Sequence, residues 1–244
     1  MNETYLYPYS AEEARRRDEL SLWRASHQAN IACKEAIEEA VRTHYDGAHL
    51  NENCLSEVLQ EYGYKRTTWT LANTIQQKDW DGRFSPRNKS WAQQTYIPPD
   101  ERHNSDFVVE THSAVLNGVV DQYRQMYQAL GLFGAAQCEP DSYASLDYEG
   151  KVLVLSPDTL KESYWTPQAQ LWYAHDGFGC RPHAIGRSIR CTCLGDGEMT
   201  RWNRTDFVGI LKEEFLPDWA MEKLAELRGP EREQAPQMDG MTME

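Results

Sequence analysis

Between residues 10 and 130 apolar positions recur every three or four residues, whereas after residue 151 they alternate or form short runs. The first pattern predicts amphipathic helices and the second predicts strands. Residues 10–45 open with Ser10 followed by Glu13, a capping-box signature. Leu20, Trp23, Ala29, Ile31, Ile37, Ala40 and Val41 then form an irregular apolar stripe. Thirty-five residues is long for one globular helix, so a break is expected near Ala25-Ser26, with Tyr45-Asp46-Gly47 as the stop. A second helix is expected over Asn53–Tyr62, with Gly63 as its natural end, and a third over Thr67–Gln77. This helix, glycine, helix order is compatible with a DNA-binding helix-turn-helix or with a plain helical hairpin. Trp69, Leu71, Ala72 and Ile75 fill much of the second member, and only Lys65, Arg66 and Lys78 flank it, which favours the hairpin. Ser85-Pro86 starts a short helix, Ile97-Pro98-Pro99 stops it, and Ser105 is expected to cap a long helix reaching Leu130.

Beyond this point the period changes. Val152–Leu155 and Gln170–Ala174 read as strands. From Ser188 onward Ile189, Cys191 and Cys193 point one way, while Arg190, Thr192 and Leu194 point the other. Gly195-Asp196-Gly197 marks a hairpin turn, Met199–Asn203 the return strand, and Phe207–Leu211 one more. Pro217 opens a closing helix with Trp219, Leu224 and Leu227 inward. The expected fold is therefore α+β. An all-helical domain at 1–130 precedes a linker at 131–150, a small antiparallel β-rich domain at 151–228 with its closing helix, and a disordered tail at 229–244.

Composition narrows the class. Among 244 residues, 38 Asp and Glu oppose 25 Lys and Arg, a formal net charge of −13. The acidity is even: 20 acids minus 14 bases through residue 140 gives −6, and 18 minus 11 beyond it gives −7. Binding to a phosphate backbone usually needs a basic face, so nucleic acid is a second choice to a protein partner. No apolar run approaches the roughly 18 residues of a membrane span, and Met1–Tyr5 lacks the features of a secretory signal. Six sparse cysteines do not make a disulfide scaffold. A cytoplasmic location with reduced thiols is expected.

Three stretches carry a resemblance. Trp23–Ala36 (WRASHQANIACKEA) and Leu71–Ser85 (LANTIQQKDWDGRFS) resemble an uncharacterised domain family, as long as the helical half, encoded on conjugative and phage-like elements of anaerobic gut bacteria. Gly177–Cys180 through Gly209 resembles a small module that accompanies such domains. The resemblance carries over no catalytic residue. It implies a context in which small acidic proteins counter host defence or assist element maintenance.

Several clusters could carry chemistry. His175, Cys180, His183, Cys191 and Cys193 are good zinc ligand types, but Cys-x-Cys with no second knuckle is poor spacing, and buried thiols are the plainer reading. Cys180 could act as a nucleophile with His175 or His183 as base, given Arg181 and Arg187 nearby, yet only Asp176 offers an orienting carboxylate. Asp79, Trp80, Asp81 and Arg83 occupy a turn. The two carboxylates could take a cation but lack the rest of a calcium loop, whereas exposed Trp and Arg would make a protein-contact hot spot. Arg181, Arg187, Arg190, Arg201 and Arg204, against Asp196, Glu198 and Asp206, form a locally basic hairpin region that, with Trp202 nearby, could contact phosphate, a base or an acidic protein.

No Gly-rich phosphate loop, His-Glu-x-x-His or Gly-x-Ser-x-Gly signature appears. The expectation is a non-catalytic accessory protein of a mobile element, without metal or cofactor. It would bind and inhibit a host defence or nucleic-acid-handling complex, as anti-CRISPR or anti-restriction proteins do. Asp79, Trp80, Asp81, Arg83, Arg190, Arg201, Trp202 and Arg204 are its candidate contacts. A nucleic-acid-binding module and a Cys- or zinc-dependent enzyme are the alternatives.

Overall fold

The computed structural model describes residues 4–228, and the chain divides between Leu130 and Gly131 into two compact units. The fold is α+β, with helices concentrated in the first unit and a five-stranded antiparallel sheet with a closing helix in the second. The tail expected at 229–244 lies outside the described residues.

The first unit starts with α1 (Ala11–Arg16), whose cap Ser10 accepts a hydrogen bond from the Glu13 amide at 3.2 Å. The helical break falls at Arg17–Glu19 and not at Ala25-Ser26, because Asp18 adopts a left-handed φ of 59°. Helix α2 (Leu20–His44) then runs unbroken and buries Ser26, Asn30, Cys33, Ile37 and Val41 along one face. Helix α3 (Ser56–Gln77) is interrupted only at Gly63, which holds a φ of 75°. A residue without a Cβ takes that angle at no steric cost. The second half of α3 buries polar side chains as well as apolar ones. Thr70 and Thr74 donate their hydroxyls one turn back along the helix, to the Arg66 and Thr70 carbonyls. Helix α4 (Pro86–Ala92) begins at the Ser85 cap with Pro at its first position.

The last helix of this unit, α5, spans Ser113–Ala129, which corrects the start expected at Ser105. Ser105–Phe107 forms a single 3-10 turn, after which the chain is extended enough to bury Phe107 and Val109. The Val109 amide donates to Thr74 Oγ1 at 3.0 Å, and that bond ties the extended segment to α3. Ile37, Val41, Leu55, Leu71, Ile75, Leu116 and Val120 share one apolar core, while Trp69, Ile97 and Phe107 form a satellite core.

In the second unit β1 (Val152–Leu155), β2 (Leu171–Asp176), β3 (Ser188–Cys193), β4 (Met199–Asn203) and β5 (Phe207–Ile210) lie in the order β4-β3-β2-β1-β5. A one-turn helix α6 (Pro167–Gln170) leads into β2, and α7 (Asp218–Arg228) closes the unit. All four residues of β1 are buried because both faces of the sheet are covered. Leu153, Leu155, Trp172, Ile189, Cys191 and Cys193 pack on one face. Val152, Val154, Leu171 and Leu194 pack with Ala220 and Leu224 of α7 on the other.

Residues 131–150 are not a loose linker. Cys138 is buried and forms a β-bridge with Leu211, and Tyr148 sits in the core beneath the sheet. The Gly, Pro and small polar residues there serve tight turns within the unit, including a 3-10 turn at Ala135–Gln137.

Candidate functional site

The turn between α3 and α4 is held by one carboxylate. Asp81 is buried and receives the Arg83 amide at 3.0 Å, Nε at 2.9 Å and Nη2 at 2.7 Å. These bonds, with a further one from Ser113, hold its carboxyl far below the ordinary carboxylate range. Arg83 Nη1 also meets His112 Nε2 at 3.2 Å. Phe84 is buried just beyond, and Lys89 donates to the Asp79 carbonyl. The turn is pinned at both ends, and Trp80 between them is 80 % exposed. Asp81 is thus a positioning residue and not a contact. Trp80, Asp79 and the outer part of Arg83 form the accessible surface.

The arginine hairpin divides differently from the sequence expectation. Arg190 and Arg201 are cross-strand partners on β3 and β4, and both are exposed. Asp176 pairs with Arg190 through Nη2, and through Nε at 3.2 Å, and neutralises part of that charge. Trp202 turns inward, packing edge-on against Trp172 at 5.6 Å between ring centroids. Period-two alternation beside exposed Arg201 puts it there.

Arg204 is not a partner contact either. It is buried, stacks 3.7 Å over the Tyr148 ring, and donates to the carbonyls of Gly179, Cys180, Arg181, Ala144 and Leu146. Asp141 completes its shell at 3.0 Å. Burial pushes the Asp141 carboxyl up, but the Leu146 amide, the Tyr148 hydroxyl and Arg204 outweigh it, so the group titrates below its usual range.

The cysteine and histidine cluster is dispersed. Cys180, Cys191 and Cys193 lie in the apolar core, whereas His175 hydrogen-bonds Thr192 at 2.7 Å and His183 meets the Tyr143 carbonyl at 3.0 Å. Among the described residues no group of three or more His, Cys, Asp or Glu side chains could hold a metal ion. Burial pushes the Cys180 thiol up to about 11. That is the reverse of what a thiolate nucleophile needs.

Sequence reasoning missed a buried polar cluster in the first unit. Arg66 is buried and donates to the Ser26 carbonyl at 3.0 Å, to the Thr4 carbonyl at 2.7 Å and to Asn30. Glu101 is also buried, and burial with neighbouring Asp100 pushes its carboxyl up to about 7 against the opposing pull of Trp23 and Arg66. His27, stacked between Trp23 and Phe107, titrates below its usual value because of burial. The signal was available: Trp23, Ser26, His27 and Asn30 stand at helical spacing on one face.

Residues 6–128 match a family model described as protein of unknown function (DUF3849). The chain belongs to this family. No curated protein and no solved structure is significantly similar to the chain. The Trp80 turn and the Arg66–Glu101 cluster both fall inside the DUF3849 match, and the arginine hairpin falls outside it. No helix among the described residues is long and apolar enough to cross a membrane.

Proposed function

We propose that the chain is a non-catalytic accessory protein whose DUF3849 unit binds a partner protein through the turn at residues 79–83. The observation that carries this reading is Trp80, an 80 % exposed indole on a turn fixed by the Asp81–Arg83 clamp. A fixed turn loses little entropy on binding, and burying a Trp ring at an interface contributes on the order of 2–3 kcal/mol. The net charge of −13 supports a basic partner surface of the kind that handles nucleic acid. The resemblance to a domain family encoded on mobile elements supports a host defence or nucleic-acid-handling complex as the target, blocked by occlusion.

Affinity capture from host lysate, with and without nuclease, tests the proposal when wild-type and Trp80→Ala baits are compared. A stoichiometric, nuclease-resistant partner lost from the variant supports it. Partners that vanish with nuclease, or that persist undiminished on the variant, reject it.

The cross-strand pair Arg190 and Arg201 favours a second reading, contact with nucleic acid. That reading requires Arg190→Ala with Arg201→Ala to weaken oligonucleotide binding and lower its salt slope.

A further inference from the structure

The second unit carries a surface that none of this uses. Residues 177–188 contain Arg181 and Arg187 and no acidic residue, in a chain of net charge −13. The segment folds back on itself tightly. A Cβ on Gly179 would lie 2.4 Å from the Arg187 carbonyl oxygen, and one on Gly177 would lie 2.7 Å from that of Ser188. The loop at 141–146 is fastened alongside. The His183 amide donates to the Ala144 carbonyl at 2.7 Å, and buried Arg204 draws carbonyls of both loops around its guanidinium.

Two further features mark these loops. Tyr143, Ala144 and His183 all hold left-handed φ angles, of 61°, 53° and 60°. Such backbone is costly for residues with side chains and persists only where surrounding contacts impose it, typically at binding loops. The same loops expose large apolar side chains: Tyr143 at 91 %, Phe178 at 62 % and Ile185 at 65 %. Arg181 lies over the Phe178 ring at 4.9 Å, so cation and aromatic present together. Asp141, the acid nearest the fastening point, is taken by Arg204. Asp147, Glu149 and Asp176 flank the loops and are exposed, with Asp176 paired to Arg190.

We infer that the paired loops 141–146 and 177–187 form a docking surface for an acidic peptide segment of a partner protein. Its apolar side chains would seat against Tyr143, Phe178 and Ile185, and its carboxylates would meet Arg181 and Arg187. Charge complementarity selects this occupant: exposed Arg181 and Arg187 stand in a segment without acids, beside exposed Tyr143, Phe178 and Ile185.

The test is a selection from a random twelve-residue peptide library against the full chain. Enriched peptides are then measured by fluorescence anisotropy on wild type, on Phe178→Ala with Arg181→Glu, and on Trp80→Ala. A labelled random-sequence twelve-nucleotide oligonucleotide is run alongside. Enrichment of peptides pairing Asp or Glu with apolar residues is expected. Their binding should weaken at least tenfold in the loop variant, be unchanged in Trp80→Ala and fall with salt. Circular dichroism of the loop variant should match wild type, since both altered side chains are exposed. No enrichment, enriched peptides that bind the loop variant equally, or peptides that depend on Trp80 instead would each overturn the inference. Oligonucleotide binding lost in the loop variant, without peptide binding, would overturn it in favour of nucleic acid.

Discussion

Arg204 and Asp141 meet at 3.0 Å although 63 residues separate them, and both are withdrawn from water. The pair fastens the chain following Cys138 to the loop following β2, with the Tyr148 ring beneath the guanidinium. Removing one partner of such a pair leaves the other charge buried and several carbonyls unsatisfied. Arg204→Ala should therefore cost about 3–5 kcal/mol in urea unfolding. Arg204→Lys should recover only part of this, because an ammonium cannot span carbonyls on both sides. Arg190→Ala, which breaks an exposed pair, should change stability by less than about 1 kcal/mol. Equal effects of the two alanine variants would contradict the role assigned to Arg204.

Glu101 makes stability depend on pH. Its carboxyl is raised by burial from an ordinary 4.5 to about 7. Between those values the folded chain holds a proton that the unfolded chain releases. The stability this group contributes is complete below about pH 4.5 and is lost as pH rises through 7. Glu101→Gln keeps the shape and removes the titration. At about 1.4 kcal/mol per pKa unit, the rise from 4.5 to about 7 makes the variant more stable than wild type at pH 8 by about 3.5 kcal/mol. The two should converge near pH 4.5. Urea midpoints at pH 5 and pH 8 decide it, and a difference that does not change with pH would count against the buried carboxyl.

What the sequence made legible was local. Ser10 and Ser85 cap helices because a hydroxyl reaches an amide three residues on, a rule confined to one turn. Alternation placed Ile189, Cys191 and Cys193 together because strand geometry permits nothing else. The failures were non-local. Arg204 reads as one more hairpin charge until loops from residues 141–146 and 179–181 wrap it. Residues 108–112 carry an acceptable helical pattern, yet burying Phe107 and Val109 against Thr74 extends them. The exposure of Trp80 in a turn was legible locally, whereas the hold of Asp81 on that turn depends on how Arg83 folds back onto it.

Trp80 separates binding from folding. Its side chain is largely exposed and contributes little to the core. Trp80→Ala should therefore shift stability by less than about 0.5 kcal/mol. Asp81→Ala, in contrast, removes the clamp and should lower the melting temperature while the indole stays present. Both variants should weaken partner retention at least tenfold, the first by losing the contact and the second by loosening the turn. Undiminished retention with Asp81→Ala would mean that preorganisation of this turn is unimportant.

The cysteines give the last prediction, because burial sets their chemistry. All six thiols are buried, and those of Cys33, Cys54, Cys138 and Cys180 are raised to about 11 and that of Cys191 to about 12, chiefly by desolvation. At pH 8 a thiol of pKa about 11 is ionised to roughly one part in a thousand, and the thiolate is the reactive form. The native chain should therefore react negligibly with Ellman's reagent over minutes at pH 8 and release six equivalents once unfolded in guanidinium. Addition of EDTA should alter neither this rate nor the melting temperature. One fast equivalent in the native state, lost in Cys180→Ala, would instead place an accessible thiolate at residue 180. That result would support a Cys-dependent enzyme, because burial of the Cys180 thiol opposes the thiolate such an enzyme needs.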